Sequence, residues 1–139
     1  MNQLDPNKNG LPKSGIVIAG GGTAGHLLPG LAVAEELQKS GWKKDQIVFI
    51  GSGRGLEKEL VPASGYRLWA LTGRGLNGRR ISLANLWNFV GICWAILKAT
   101  WILARLRPRA VLSLGGYAAL PRALGAVILR VPLVLAEQN

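Results

Sequence analysis

Sulfur and imidazole are almost missing from this chain. It has one cysteine, Cys93, and one histidine, His26, in 139 residues. A single thiol supports neither a disulfide framework nor a cysteine metal cluster. No metal site and no cofactor is expected, and a reduced, intracellular setting fits. Acidic residues are also scarce, and unevenly so. None occurs between Glu59 and Glu137, a stretch that carries Arg67, Arg74, Arg79, Arg80, Lys98, Arg105, Arg107, Arg109, Arg122 and Arg130. The formal net charge is +10. So one-sided a balance predicts an anionic partner: nucleic acid, an anionic membrane surface or a phosphorylated substrate. The first residues, "MNQLDPNKNGLPKSG", lack the apolar core of a secretory signal. There is no internal repeat and no low-complexity linker. Residues 1–14 read as a flexible leader and 15–139 as one domain.

What is present alternates. Five short apolar runs read as strands: "GIVIA" (15–19), "QIVFIG" (46–51), "YRLWAL" (66–71), "AVLSL" (110–114) and "PLVLA" (132–136). Helical patterns lie between them at 27–41, 55–65, 81–107 and about 118–129. Pro29 is acceptable in the first turn of its helix, and the second one stops near Pro62. Continuous apolar strands separated by helices predict a parallel sheet covered on both faces. The fold class is therefore α/β, a Rossmann-like doubly wound sheet.

The turn after the first strand, "IAGGGTAGHLLPG", holds five glycines in thirteen positions. In a doubly wound sheet this turn faces the ligand crevice. Glycines let a ligand approach the backbone, and the N–H groups at the next helix start favour an anion. The loop reads as a diphosphate cradle, with a tight turn lacking any ligand as the alternative. Gly20, Gly22 and Gly25 formally satisfy G-x-G-x-x-G, yet the second strand ends "VFIGSGRG", with no acid for a ribose. The nearest, Glu57, lies beyond the next turn. This counts against a dinucleotide oxidoreductase. A second glycine turn, "SLGGYAALP", follows the fourth strand and can grip a diphosphate from the other side. His26 closes the first loop, either as a proton-transfer group or as a helix-start residue bonded to backbone.

Residues 81–107 form the longest apolar stretch, with Ser82 as a possible cap and Pro108 past its end. Phe89, Ile92, Ile96, Ala99, Leu103 and Leu106 step by three and four and predict a stripe against the sheet. Trp87, Gly91, Trp94, Lys98, Trp101 and Arg105 make a second stripe, because residues seven apart drift only about 20° per heptad. Indoles interleaved with cations suit a membrane interface. A transmembrane span is the rival, but Lys98 would then lie inside it at a cost of about 2.5–3.5 kcal/mol. A protein–protein surface is the other alternative. Nucleic acid is not expected, since the arginines form no recognition motif.

"GGGTAGHLLPGLAVAEEL", "LSLGGYAALP" and the terminal "PLVLAEQN" resemble the N-terminal domain of the MurG family, from about Gly15 to Asn139 and in the same order. These are peripheral membrane N-acetylglucosaminyltransferases of bacterial peptidoglycan synthesis. The resemblance implies one half of a two-domain GT-B glycosyltransferase. It also implies an inverting transfer from UDP-N-acetylglucosamine to the C4 hydroxyl of a lipid-pyrophosphate-linked muramyl-pentapeptide, without a protein-bound metal. Carried over by motif, Gly21, Gly22, Thr23 and Gly25 sit at the acceptor diphosphate, with Gly115, Gly116 and Tyr117 opposite. His26 becomes the candidate catalytic residue, as base or orienting group for the acceptor hydroxyl, Asn139 approaches the donor sugar, and Trp87, Trp94, Lys98, Trp101 and Arg105 meet anionic lipid. The implied location is the cytoplasmic face of the bacterial inner membrane. Two departures stand out. Ala24 replaces a glycine of the family's G-G-T-G-G-H, which is harmful only if that position needs positive φ. The chain also stops where the resemblance would continue into the donor-binding domain. Alone it is then expected to bind acceptor and membrane without completing transfer. A non-catalytic membrane-anchoring subunit of a split transferase is the alternative.

Overall fold

The structure is a computed structural model that describes residues 15–20, 23–53, 55–71, 84–115 and 120–136, with only the backbone at 84–89 and 120–122. The leader at 1–14 lies outside the described residues, as does the Ser82 cap.

Five strands form one sheet: β1 (Ile16–Ala19), β2 (Ile47–Gly51), β3 (Arg67–Ala70), β4 (Ala110–Ser113) and β5 (Leu133–Leu135). Their order is β3-β2-β1-β4-β5, and every pairing is parallel. Register runs Ile16 to Ile47 on one side of β1 and Ile16 to Ala110 on the other. The connections are α1 (Ala24–Lys39), a 3₁₀ turn (Lys44–Gln46), α2 (Leu56–Ala63), α3 (Ala84–Leu106) and α4 (Leu120–Ile128).

The strands are apolar on both sides because both faces are covered. Val17, Ala19, Val48, Ile50 and Val111 pack on Ile102, Leu103 and Leu106 of α3 and Ala126 of α4. Ile18, Ile47 and Phe49 pack on Leu27 and Ala34 of α1 and Val61 of α2. Burying each large aliphatic side chain contributes about 1.5–3 kcal/mol. From β1 the chain winds outward through β2 and β3, then returns to the other side of β1 for β4 and β5. The winding direction therefore reverses between β1 and β4. At such a switch point the two following loops part and leave a crevice at the strands' C-terminal ends.

One element end differs from the periodicity reading. The first helix starts at Ala24, three residues before the apolar pattern at 27, because Thr23 is extended and caps the turn Ala24–Gly25–His26. Pro29 therefore lies inside the helix. Lacking an N–H, it cannot bond the Gly25 carbonyl one turn back. α2 stops near Pro62 as expected, ending one residue later at Ala63.

Candidate functional site

The crevice between β1 and β4 is where the two glycine corners meet. β1 ends at Ala19, and Gly20 follows with its N–H donating to the Ile50 carbonyl at 3.3 Å. β4 ends at Ser113, and Leu114 donates its N–H to the Ala19 carbonyl at 2.9 Å. Leu114 explains two of the glycines. A Cβ on Gly20 would come 2.9 Å from Leu114 Cβ, and one on Gly30 only 2.7 Å from Leu114 Cδ1. Both positions are bare so that this leucine can wedge between β1 and α1. Their role is packing, and Gly20 satisfies G-x-G-x-x-G only formally.

The wedge draws the corners together. Gly115 has φ +84°, a left-handed conformation that favours glycine. A Cβ built on it would lie 3.6 Å from Cδ2 and from Nε2 of His26, and 3.9 Å from the Ala136 carbonyl. The histidine of the first corner thus lies against the second corner, with the end of β5 beside both. Ala136 is held there by its N–H, which donates to the Ser113 carbonyl at 2.8 Å. At its other edge His26 is tied back: Nδ1 is hydrogen-bonded to Thr23 Oγ1 at 2.7 Å.

Of the residues singled out in sequence, Thr23, Gly25, His26 and Gly115 fall at this one place. Gly21, Gly22, Gly116, Tyr117 and Asn139 lie outside the described residues. Gly25 is unlike Gly20 and Gly30. Among the described residues a Cβ on it would meet only Thr23 Oγ1, at 3.9 Å, so none of their packing requires glycine there. Ala24 is the first helical residue, and the only non-glycine residues with positive φ among those described are Arg107 and Arg130. The departure from G-G-T-G-G-H therefore strains nothing.

The acid that the sequence puts beyond the next turn stands at the neighbouring corner. Glu57, in the first turn of α2, is 2% exposed, and Ser52 Oγ donates a hydrogen bond to its Oε1. Its carboxylate lies directly under Gly51, where any Cβ would collide with it. An acid does reach the end of the second strand, but it is turned inward and ties the loop to the helix. Gly53 (φ +71°) and Gly55 (φ +61°) make the sharp turn that allows this. The signal was available: an acid in the first turn of a helix, next to a serine and a strand-end glycine.

The flank formed by α3 and α4 is the second candidate surface. Ala99, Leu103 and Leu106 of the expected inner stripe are buried, Ile92 and Ile96 are half-buried, and Ile102 joins the core as well. The side chains of Phe89 and Trp87 lie outside the described residues. Trp94 is 69% exposed and Trp101 55%, while Gly91 and Arg105 are exposed and Lys98 is half-buried. The Arg105 guanidinium stands 5.2 Å from the centre of the Trp101 ring. α4 adds Leu124, Val127 and Ile128, all exposed, which sequence reading had not separated from the core. The two helices cross closely at Gly125, where a Cβ would be 3.1 Å from Thr100 Oγ1 and 3.2 Å from its N. No helix among the described residues is long and apolar enough to cross a membrane.

Comparison with known proteins adds names. The Glycosyltransferase family 28 N-terminal domain matches residues 16–139. A relative from Nitrosomonas europaea is 42% identical over 125 residues, which is 88% of this chain and 33% of that protein. One from Tolumonas auensis is 45% identical over 124 residues, covering 89% and 34% respectively. Both are named UDP-N-acetylglucosamine–N-acetylmuramyl-(pentapeptide) pyrophosphoryl-undecaprenol N-acetylglucosamine transferase. The chain thus spans about a third of the length of these curated relatives. Among solved structures, Acinetobacter baumannii MurG superposes with a TM-score of 0.71 at 27% identity, over 91% of this chain and 36% of that one.

Proposed function

Because the chain belongs to glycosyltransferase family 28 through that family's N-terminal domain, we propose that it is the acceptor-binding half of an inverting N-acetylglucosaminyltransferase. The acceptor is a pyrophosphate-linked lipid carrying a muramyl-pentapeptide, and the donor is UDP-N-acetylglucosamine, as in the names of the relatives. The donor is held chiefly by a second domain. The observation that carries this reading is the contact between the corners, His26 against Gly115 at the sheet's switch point.

In this reading the diphosphate rests on the N–H groups and dipole at the start of α1, where it can reach the backbone at Gly25. His26 accepts the proton of the acceptor hydroxyl as that oxygen attacks the donor's anomeric carbon. The bond to UDP breaks as the new glycosidic bond forms, so the configuration inverts and UDP leaves as the anion. No protein-bound metal takes part.

The lipid tail calls for a membrane, and the α3–α4 flank supplies the matching surface. Trp94 and Trp101 sit at headgroup level and the neighbouring cations meet anionic lipid. The protein is then peripheral, on the cytoplasmic face of the bacterial inner membrane. Co-sedimentation with vesicles containing anionic lipid tests the surface. Trp94→Ala combined with Trp101→Ala should release the protein at unchanged thermal stability, since both indoles face outward. Vesicle binding equal to the parent's removes the membrane reading. Vesicle binding without binding of a soluble pyrophosphate-linked acceptor makes the chain a membrane-anchoring subunit instead.

A further inference from the structure

Thr23 stands where a helix is normally capped by a hydroxyl. Its backbone is extended, with φ −134° and ψ 153°, immediately before Ala24. An N-cap threonine ordinarily accepts a hydrogen bond from a main-chain N–H two or three residues on. Among the described residues Thr23 makes no such bond. Its carbonyl takes the N–H groups of both His26 and Leu27, each at 3.2 Å. Its hydroxyl is left to the imidazole, with Oγ1 at 2.7 Å from His26 Nδ1. The opposite ring edge, Cδ2 and Nε2, faces Gly115. The ring is therefore held at one nitrogen and presents the other to the second corner.

A neutral imidazole has one N–H and one lone pair, and the partner of one nitrogen decides the state of the other. At an N-cap the side-chain oxygen ordinarily accepts from the first turn of its helix, and here His26 Nδ1 takes the place of that main-chain N–H beside a hydroxyl able to donate or accept. We propose that Thr23 is a positioning residue: it accepts the Nδ1 proton of His26 and so fixes the tautomer whose Nε2 lone pair faces Gly115. The inference rests on the proton-acceptor reading of His26, but it concerns the state of the ring, which can be measured without turnover.

His26 is the sole histidine, so ¹⁵N-labelled chain gives one pair of imidazole nitrogen signals with no assignment ambiguity. A long-range ¹H–¹⁵N correlation spectrum, recorded where the ring is neutral, should show a protonated Nδ1 and an unprotonated Nε2. Thr23→Val should lose this preference and make the Nε2-protonated form the majority, while Thr23→Ser should restore the parent pattern. A protonated Nε2 in the parent protein overturns the proposal without any variant. So does a folded Thr23→Val chain whose pattern is unchanged. The two readings fail separately. If the tautomer is as stated but His26→Ala leaves the turnover of a complete enzyme carrying this domain unaltered, Thr23 still orients the ring and His26 is not the base.

Discussion

At the scale of the residue, the glycines of the first corner divide by what surrounds them. Gly20 and Gly30 are filled by Leu114, whereas Gly25 has room among the described residues. Gly25→Ala should therefore fold at least as well as the parent, with up to about 1 kcal/mol gained from helix propensity. If the diphosphate lies on that backbone, the added methyl should weaken acceptor binding by about tenfold or more, equivalent to about 1.4 kcal/mol. Calorimetric melting and acceptor titration on the same protein separate the two effects, and an unchanged affinity moves the diphosphate elsewhere. Two arginines raise the opposite question. Arg107 (φ 43°) and Arg130 (φ 55°) end α3 and α4 in the left-handed region, where glycine is usual. Each costs about 1–2 kcal/mol of strain. Arg107→Gly should raise the melting temperature, and if the arginine serves the membrane it should weaken vesicle binding by about fivefold, or about 1 kcal/mol. A more stable protein with unaltered vesicle binding would show that Arg107 serves neither end.

At the scale of the element, one helix start and one helix face mark where sequence reading reaches its limit. The period of three and four identified α3 and, among the described side chains, the buried Ala99, Leu103 and Leu106 and the exposed Trp94, Trp101 and Arg105, because the indoles and the arginine mark the outer side. It failed at the start of α1, where glycines and a histidine look like loop and the N-cap is visible only as backbone geometry. It failed on α4 for a different reason. Leu124, Val127 and Ile128 are as hydrophobic as a core, so hydrophobicity alone cannot say that they face outward. The burial of Glu57 was missed by the converse rule, since a carboxylate is expected at the surface. The glycine corners were legible as corners, but their contact was not. It depends on Leu114, whose neighbours Gly20 and Gly30 lie more than eighty positions away in the chain. This packing is testable. Gly30→Ala would bring a methyl to 2.7 Å from Leu114, 3.2 Å from Ile18 and 3.3 Å from Phe49. Such overpacking should cost about 1–3 kcal/mol by denaturant unfolding. A neutral outcome would mean that α1 can back away from β4.

At the scale of the whole molecule, the α1–α2 face is tied to the sheet by Tyr66 as well as by aliphatic packing. Its ring lies 5.5 Å from that of Phe49, and its hydroxyl donates to Gln38 Oε1 at 3.0 Å. Burial, and then the nearby Glu35 carboxylate, raise the phenol above its ordinary value of 10.0. A raised folded value means that ionisation favours the unfolded chain. Stability from this source is complete below pH 10 and declines as the pH climbs towards the folded value. Tyr66→Phe should cost about 0.5–1.5 kcal/mol at neutral pH through the lost hydrogen bond and should flatten that alkaline decline. Urea melts at neutral and alkaline pH measure both, and a decline as steep as the parent's would assign it to another group.

The crossing of α3 and α4 has a mechanical consequence. Thr100 folds its hydroxyl back onto the Ile96 carbonyl at 2.8 Å, so its flank can lie dry against Gly125 with no space for a methyl between them. Sliding one helix past the other would drive main chain into that hydroxyl, so the pair should resist shear. Ala126 belongs to the same core cluster as Val111, in the strand that leads to Gly115, so the outer flank and the rim of the crevice rest on one packed core.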